Sequence, residues 1–265
     1  LGYIPKDESI VIPSRHLGLS IDETFCFDAF ADRVAEVIDK TVNVDRLLEL
    51  CTVEFSGEQT GGVICSGNRK IAIARDEAFN FMYRENVEAL KRAGEVVFFS
   101  PLHDKRLPDA DLVYFPGGYP ELYLPELAAN EGMRQAVRKY CETGGRVLAE
   151  CGGMMYLCDT ITSDDGKVYP MAGVLKQGAT MEQMKLKLGY REVRVNGQRI
   201  RGHEFHYSRI LPGHEKIPVI GTIYNAKDMV VDTPVYTYKN VLASYIHFYW
   251  GECGIDHFLM LMSQK

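Results

Sequence analysis

The chain has 265 residues, 46% apolar and 25% charged, which suits one large globular domain or one domain with a smaller piece. A formal net charge of −6 gives no electrostatic reason for nucleic-acid binding, and no apolar run approaches the length of a membrane-spanning helix. Seven cysteines, an odd number with no CxxC pair, argue against a disulfide framework and for a reducing, cytoplasmic setting. The sequence begins with Leu1 and carries no signal-peptide pattern, which reads as a processed or truncated chain.

Residues 1–20 are extended and punctuated by proline. A helix is expected next: Asp22 suits the N-cap, and Phe27, Phe30, Val34, Val37 and Ile38 recur at helical spacing. A second short helix is expected from Asn43, carrying Leu47, Leu48 and Leu50. Glycines mixed with serines and a threonine in "FSGEQTGGVICSGN" then read as a linker. Beyond it, "KIAIA" (70–74), "VVFFS" (96–100), "DLVYFPGG" (111–118) and "RVLAE" (146–150) read as strands. One helix should run up to Ala93 and stop at Gly94, and another should lie near 131–142 and end at Gly144-Gly145. Short apolar strands spaced by helices predict a mostly parallel sheet with helices on both faces. From about 168 to 247 the pattern turns β-rich, through "YREVRV", "HEFHYS", "VIGTIY" and "VYTYK". The chain closes on "VLASYIHFYW" and an expected helix over 255–263.

In open α/β sheets, ligands collect at the carboxyl ends of strands. Three such places carry unusual residues: Pro116-Gly117-Gly118-Tyr119-Pro120-Glu121, Cys151-Gly152-Gly153, and His247 after "VLASYI". A residue on a strained strand-to-helix turn is lifted above the sheet, and small neighbours let the chain fold that tightly. Cys151 would then sit at the N-terminus of a helix beginning with Met154. Free amides and the helix dipole there favour the thiolate, lowering a pKa that is otherwise about 8.5. The Gly152 N–H lies where one oxyanion donor is needed, and the Gly117-Gly118 turn is the natural source of a second. His247 supplies proton transfer, and a thiol beside an imidazole suits acyl transfer through a thioester. "HEFH" (203–206) invites a metal reading. On a strand, however, His203 and His206 point to opposite faces, and the acidic neighbours Glu204 and Glu150 do not restore a ligand set. No metal site is expected.

Taken in order, "YFPGGYPE", "LAECGGMMYL", "GYRE", "GHEFHYS" and "ASYIHFYWGE" resemble the glutamine amidotransferase domain of the cobyrinic acid a,c-diamide synthase family. The opening "GYIP…IPSRHLGL" resembles the end of that family's N-terminal synthetase domain, so the resemblance covers nearly the whole chain. It implies an α/β fold of the class I glutamine-amidotransferase (flavodoxin-like) type, with a mostly parallel sheet, a β-rich extension and a small N-terminal remnant. Residues 1–55 would be the remnant of the ATP-dependent synthetase domain, 56–69 the linker and 70–265 the amidotransferase domain. Roles follow from the same resemblance. Cys151 attacks the side-chain amide of glutamine, and His247 raises its nucleophilicity and protonates the departing ammonia. Gly118, Gly152 and Tyr119 serve the oxyanion and the bound glutamine. The family's enzymes are cytoplasmic, glutamine-hydrolysing amide ligases that use ATP and magnesium to amidate the a and c acetates of a corrin ring in cobalamin biosynthesis.

Two departures qualify that picture. Relatives in the wider triad-type class carry Glu two residues after the histidine, where this chain has Tyr249, so the third group orienting the imidazole is unassigned. No GxxxxGK(S/T) loop occurs, so the phosphate cradle for ATP is expected in a preceding synthetase domain, and the glutaminase half needs no cofactor. The expected partners are glutamine, the corrinoid cobyrinic acid by way of that domain, the N-terminal synthetase domain itself and, as one open state, a second copy. Neither nucleic acid nor a membrane is expected. The alternatives are an a,c-diamide synthase of nickel-sirohydrochlorin, a cysteine-elbow hydrolase, and a non-catalytic fragment that binds a partner domain. Arg15, His16, Arg191, Arg201 and Arg209 are candidates for a basic interdomain face, or are simply solvated charge.

Overall fold

A computed structural model describes residues 1–12, 14–15, 18–19, 25–54, 67–251 and 255. The chain divides into two units, Leu1–Gly61 and Gly62–Lys265. In the first, β1 (Ser14–Arg15) pairs antiparallel with β2 (Gly18–Leu19), and two helices follow, α1 (Phe27–Thr41) and α2 (Val44–Cys51). The N-cap of α1 is Cys26, without a side-chain hydrogen bond, and the expected cap Asp22 lies outside the described residues. Asn43 caps α2, its side-chain oxygen accepting from the Arg46 N–H at 2.9 Å. Neither helix contains a buried residue, and Phe27, Leu48 and Leu50 are exposed. Most of the expected linker falls outside the described residues, as do His16 and the expected terminal helix beyond Ile255.

In the second unit the apolar runs become strands where the sequence predicts them. The order is β3 (Arg69–Ala74), α3 (Arg84–Ala93), β4 (Gly94–Phe99), β5 (Leu112–Phe115), α4 (Leu124–Ala129), α5 (Glu131–Glu142), β6 (Arg146–Glu150) and α6 (Gly152–Leu157). Then come β7 (Cys158–Thr162), β8 (Val168–Pro170), β9 (Leu175–Thr180), β10 (Lys187–Val195), β11 (Gln198–His206), β12 (Arg209–Leu211), β13 (Thr222–Asn225), β14 (Val235–Tyr238), β15 (Val241–Ser244) and β16 (Ile246–Phe248). Six strands form the central sheet in the order β14-β15-β6-β5-β3-β4. All neighbours in it are parallel except β14, which runs antiparallel to β15 at one edge. Gly94 ends α3 as expected, but not as a left-handed cap. Its φ is 171°, extended, and it opens β4 directly. A Cβ there would overlap the Arg69 carbonyl, so the close approach to β3 is what requires glycine.

Side-chain alternation splits these strands between two cores. Ala72, Val113, Phe115, Val147 and Ala149 pack with Met133 and Val137 of α5 and Met154 and Leu157 of α6. Ile71, Ile73, Leu112, Tyr114, Leu148 and Leu242 pack the other way, with Leu90 of α3. They also meet Val193, Ile200, Ile223, Ile246 and Phe248 of an antiparallel sheet ordered β13-β10-β11-β16. The β-rich stretch therefore shares with α3 the covering of one face of the central sheet. Each fully buried large apolar side chain contributes roughly 1.5–3 kcal/mol, which fixes strand register firmly on both faces. A mixed sheet, β12-β9-β7-β8, adds Ile161, Leu175 and Ala179 to the first core.

The strand expected over "VLASYI", with His247 after it, divides at Tyr245. In "VLASYIHFYW", β15 pairs parallel with β6 up to Ser244, opposite Glu150. Ser244 Oγ then accepts from the Ile246 N–H at 3.2 Å, and Tyr245 carries the chain over to β16. There His247 stands opposite His203 of β11. This crossing brings a residue from the end of the chain to the rim of β6.

Candidate active site

β6 ends at Glu150 and α6 begins at Gly152, so Cys151 alone makes the turn. It does so at φ 46° and ψ −108°, a backbone that residues other than glycine rarely adopt. Its N–H donates to Ser244 O at 2.8 Å, which ties the turn to β15. The two glycines behind it are required by packing. A Cβ on Gly153 would overlap the Phe115 carbonyl, and one on Gly152 would lie 2.7 Å from Pro120 Cδ and 2.9 Å from Gly118 O.

That second position also locates the donors. A Cβ on Gly152 would be 3.2 Å from Gly118 N, so the two backbones predicted to bind an oxyanion are neighbours. The Gly152 N–H interacts favourably with the Cys151 thiolate. Gly118 has φ 155°, and a Cβ there would overlap the Ala78 carbonyl, so the turn admits no side chain at this point.

The state of the thiol differs from the sequence expectation. Burial pushes its pKa well above the ordinary value, the Glu121 carboxylate adds to this, and the Gly152 N–H offsets only part. Cys151 is 7% exposed, and α6, which starts at Gly152 rather than Met154, is only 6 residues long. A dipole that short does not outweigh the desolvation. Glu121, to which the sequence reading gave no role beyond closing the Pro116–Glu121 segment, is half-buried, and desolvation pushes its carboxyl up to about 7. Tyr119 beside it is raised by burial and then by Glu121 and Cys151, so these three groups share one electrostatic neighbourhood.

His247 is 4% exposed, and desolvation, reinforced by His203 and His206, lowers its pKa to about 3. Phe81 packs edge-on against its ring at 4.6 Å, and His203 stacks on it at 4.8 Å with an interplanar angle of 19°. Its Nδ1 is buried without a hydrogen-bond partner and lies 4.0 Å from Glu150 Oε2. A Cβ on Gly117 would overlap Cε1 of this ring, so the residue before Gly118 is the floor on which the imidazole rests. The three chemistry-bearing segments therefore meet, Gly118 against Gly152 and Gly117 against His247. Gly117→Ala is expected to displace the imidazole and lower any turnover at Cys151 by about 10²-fold, a loss of the size that a 1 Å misplacement produces. Steady-state assay alongside circular dichroism would separate this from unfolding.

The "HEFH" residues have other partners. His203 and His206 lie on opposite faces of β11. Tyr83 Oη lies 2.6 Å from His203 Nδ1, and His206 hydrogen-bonds Glu204 Oε1 and Ser208 O, each at 2.7 Å. Against its own desolvation, Glu204 is held down at about 2 by hydrogen bonds from His206, Thr233 and Arg191. Arg191 is thus turned inward, its Nε donating to Glu204 Oε2 at 2.7 Å, with 11% of its side chain exposed. Arg201 and Arg209 are exposed.

The CobB/CobQ-like glutamine amidotransferase domain matches residues 70–253. A cobyrinate a,c-diamide synthase of Salmonella typhimurium is 34% identical over 267 residues, covering 95% of this chain and 58% of that protein. A hydrogenobyrinate a,c-diamide synthase of Pseudomonas aeruginosa is 37% identical over 250 residues, covering 94% of this chain and 56% of that protein. The chain thus spans a little over half the length of these curated relatives. Among solved structures, PurLQS from Thermotoga maritima aligns with a TM-score of 0.48 at 19% identity, covering 68% of this chain and 87% of that one. With its family signature running from the first strand of the central sheet to beyond His247, this chain belongs to the CobB/CobQ-like glutamine amidotransferase family.

Proposed function

We propose that this chain hydrolyses glutamine and supplies ammonia as the glutaminase part of a corrinoid a,c-diamide synthase. The observation that carries the reading is Cys151 alone on a left-handed elbow, with the Gly152 and Gly118 backbones beside it. The relatives named for a,c-diamide formation support the acceptor class.

The chemistry follows from the groups in place. The Cys151 S–H proton passes to Nε2 of His247, and the sulfur attacks the side-chain amide carbon of glutamine. The carbonyl oxygen takes up negative charge against the Gly118 and Gly152 N–H groups. As the intermediate collapses, His247 returns the proton to the departing nitrogen, releasing ammonia and leaving a thioester. Water, deprotonated by the same imidazole, then releases glutamate and restores the thiol. Binding of the substrate must also overcome the buried thiol's reluctance to ionise; the negative charge of the tetrahedral state, held by two N–H donors, is where that stabilisation arises. Tyr119, beside the thiol, is assigned to the glutamine pocket.

Residues 1–55 are assigned to the end of a synthetase domain, in keeping with helices whose leucines are exposed. The chain offers no GxxxxGK(S/T) loop, and among the described residues no three His, Cys, Asp or Glu side chains form a metal site. Magnesium and ATP do not fit the residues present here, and no step is routed through them. Carboxylate activation is assigned to the part of the longer relatives that this chain does not span. No described helix is long and apolar enough to cross a membrane, and a cytoplasmic setting remains part of the proposal.

Labelling with diazo-oxo-norleucine tests the reading. One adduct is expected, on Cys151, together with loss of glutamate release. Adducts spread over exposed Cys26 and Cys51 instead would remove its basis.

A further inference from the structure

We infer that Glu150, the residue immediately before the nucleophile, is the positioning carboxylate for His247, its Oε2 accepting a hydrogen bond from Nδ1–H and turning Nε2 toward the thiol. The inference rests on the glutaminase reading for its consequence, but on geometry for its content.

The first observation is the unsatisfied ring nitrogen. A buried imidazole N–H without a partner carries the full desolvation penalty of that group, so a proton on Nδ1 is tolerated only with an acceptor in reach. Glu150 Oε2 is the carboxylate facing it, 4.0 Å away. A gap of that size is common in the resting state of sites whose hydrogen bonds tighten as substrate binds. The stacked His203 is not an alternative, because its Nδ1 is engaged by Tyr83 Oη at 2.6 Å. Tyr249 has no carboxylate, and its ring packs against Tyr83 at 5.6 Å.

The second observation is that Glu150 is built in, and at a cost. It is 1% exposed, and among the described residues no Lys or Arg pairs with it. Strand alternation places it on the same face as Leu148, among Tyr114, Phe248 and Trp250, where an apolar residue would pack without penalty. The carboxylate is nevertheless fixed at both oxygens. Tyr114 Oη–H donates to Oε2 at 2.8 Å, and the Phe248 N–H donates to Oε1 at 3.2 Å. Phe248 is the residue after His247, so the backbone that carries the imidazole also grips the carboxylate.

The groups around the pair set the expected pH behaviour. Glu150 faces Tyr114 of β5 and His247 of β16, while His247 also faces His203 and His206 of β11. The neighbouring thiol of Cys151 carries the fields of Glu121, Glu150 and Glu204. Desolvation pushes Glu150 up to about 8 and His247 down to about 3, so between those values the pair holds one proton in common. That proton resides on Glu150 while the imidazole is already the neutral base; as it leaves, the Nδ1–H faces an ionised carboxylate.

The test compares Glu150→Gln, Glu150→Asp and Tyr114→Phe in this chain by glutaminase kinetics against pH, and by 15N NMR of the His247 imidazole. Glu150→Gln should lower kcat by roughly 10²-fold with little change in KM. It should also move the acidic limb of the profile down by more than one pH unit, because the imidazole then titrates without a carboxylate. Tyr114→Phe, which removes a hydrogen bond from the carboxylate, should move the same limb upward. Glu150→Asp should recover part of kcat. The NMR decides without turnover: wild type should give a downfield Nδ1–H signal that Glu150→Gln lacks. An unchanged limb and unchanged imidazole signals in Glu150→Gln would overturn the inference while leaving Cys151 chemistry intact. Glutamine turnover that survives loss of Cys151 would overturn the glutaminase reading and leave the imidazole spectra to judge the pairing alone.

Discussion

Cys151→Ala is expected to reduce glutamine hydrolysis by on the order of 10⁴-fold or more, to the background set by the remaining groups, with an unchanged fold. The effect should be large because, among the described residues, no other side chain in the neighbourhood is a comparable nucleophile. Tyr119 is a phenol whose pKa is raised by burial, and Cys158 is buried with its thiol pushed up to about 12 by desolvation. The fold should survive because alanine carries the same Cβ as cysteine, so the strain of φ 46° neither rises nor falls. The turn is held by its N–H to Ser244 O, which the substitution keeps. Cys151→Ser is the sharper comparison. A hydroxyl there keeps a polar atom facing Phe205 O, where Sγ lies at 3.9 Å, but it ionises far less readily than a thiol. It should be nearly as inactive as alanine. Glutamate release, followed with thermal melting of each variant, checks both; activity above about one per cent in either would mean that another group attacks the amide.

The parts legible in the sequence were those whose cause is local. "RVLAE" becomes β6 with the expected bounds, because a short apolar run between Gly-Gly pairs has no competing periodicity. The two glycines after Cys151 announce a tight turn, and both prove to be forced by packing. What stayed hidden was set by distant chain. α4 was missed although Pro125 sits in its first turn, a start signal that six residues, with only Leu124 and Leu127 buried, were too short to reinforce. The thiol's raised pKa was unreadable because it comes from desolvation and from Glu121, thirty positions earlier. Glu150 could be seen beside the cysteine, and a carboxylate at the end of a doubly buried strand is a signal in itself. Its proximity to His247 depends on β15 lying in register with β6 and on the chain crossing sheets at Tyr245. No spacing within the sequence encodes that crossing.

Those long-range contacts also explain why the site is expensive to fold. The parallel pairing of β6 with β15 puts a carboxyl group into the apolar face of Leu148, Tyr114 and Phe248, and the crossing to β16 buries a neutral imidazole between Phe81 and His203. Packing alone would favour hydrocarbon at both positions. The two groups penalise the fold in different pH ranges, which makes their costs separable. For Glu150 the folded pKa, about 8, lies above the unfolded value, so the native state holds a proton that the unfolded chain has lost, and stability falls as pH rises toward 8. His247 works in the opposite direction.

His247→Gln is expected to lower glutamine turnover by roughly 10³-fold and, at the same time, to make the protein more resistant to acid. Activity falls because one imidazole both takes the thiol proton and delivers it to the leaving nitrogen, and an amide does neither. Acid resistance follows from linkage. The folded pKa of His247, about 3, lies below the ordinary histidine value of about 6.5. Between those limits the unfolded chain takes up a proton that the native state refuses, so the wild-type protein loses stability as pH falls from about 6.5 toward 3. Glutamine does not titrate, and the contribution of Glu150 is common to both proteins. The stability difference between variant and wild type should therefore shift in favour of the variant by on the order of 2 kcal/mol between pH 7 and pH 4.5. Urea titrations of both proteins at the two pH values measure that double difference directly, whatever the substitution costs in packing. A difference that does not change with pH would mean that His247 titrates alike in the folded and unfolded states. It would then be a hydrated surface group rather than the buried base on which both the glutaminase chemistry and the role of Glu150 depend.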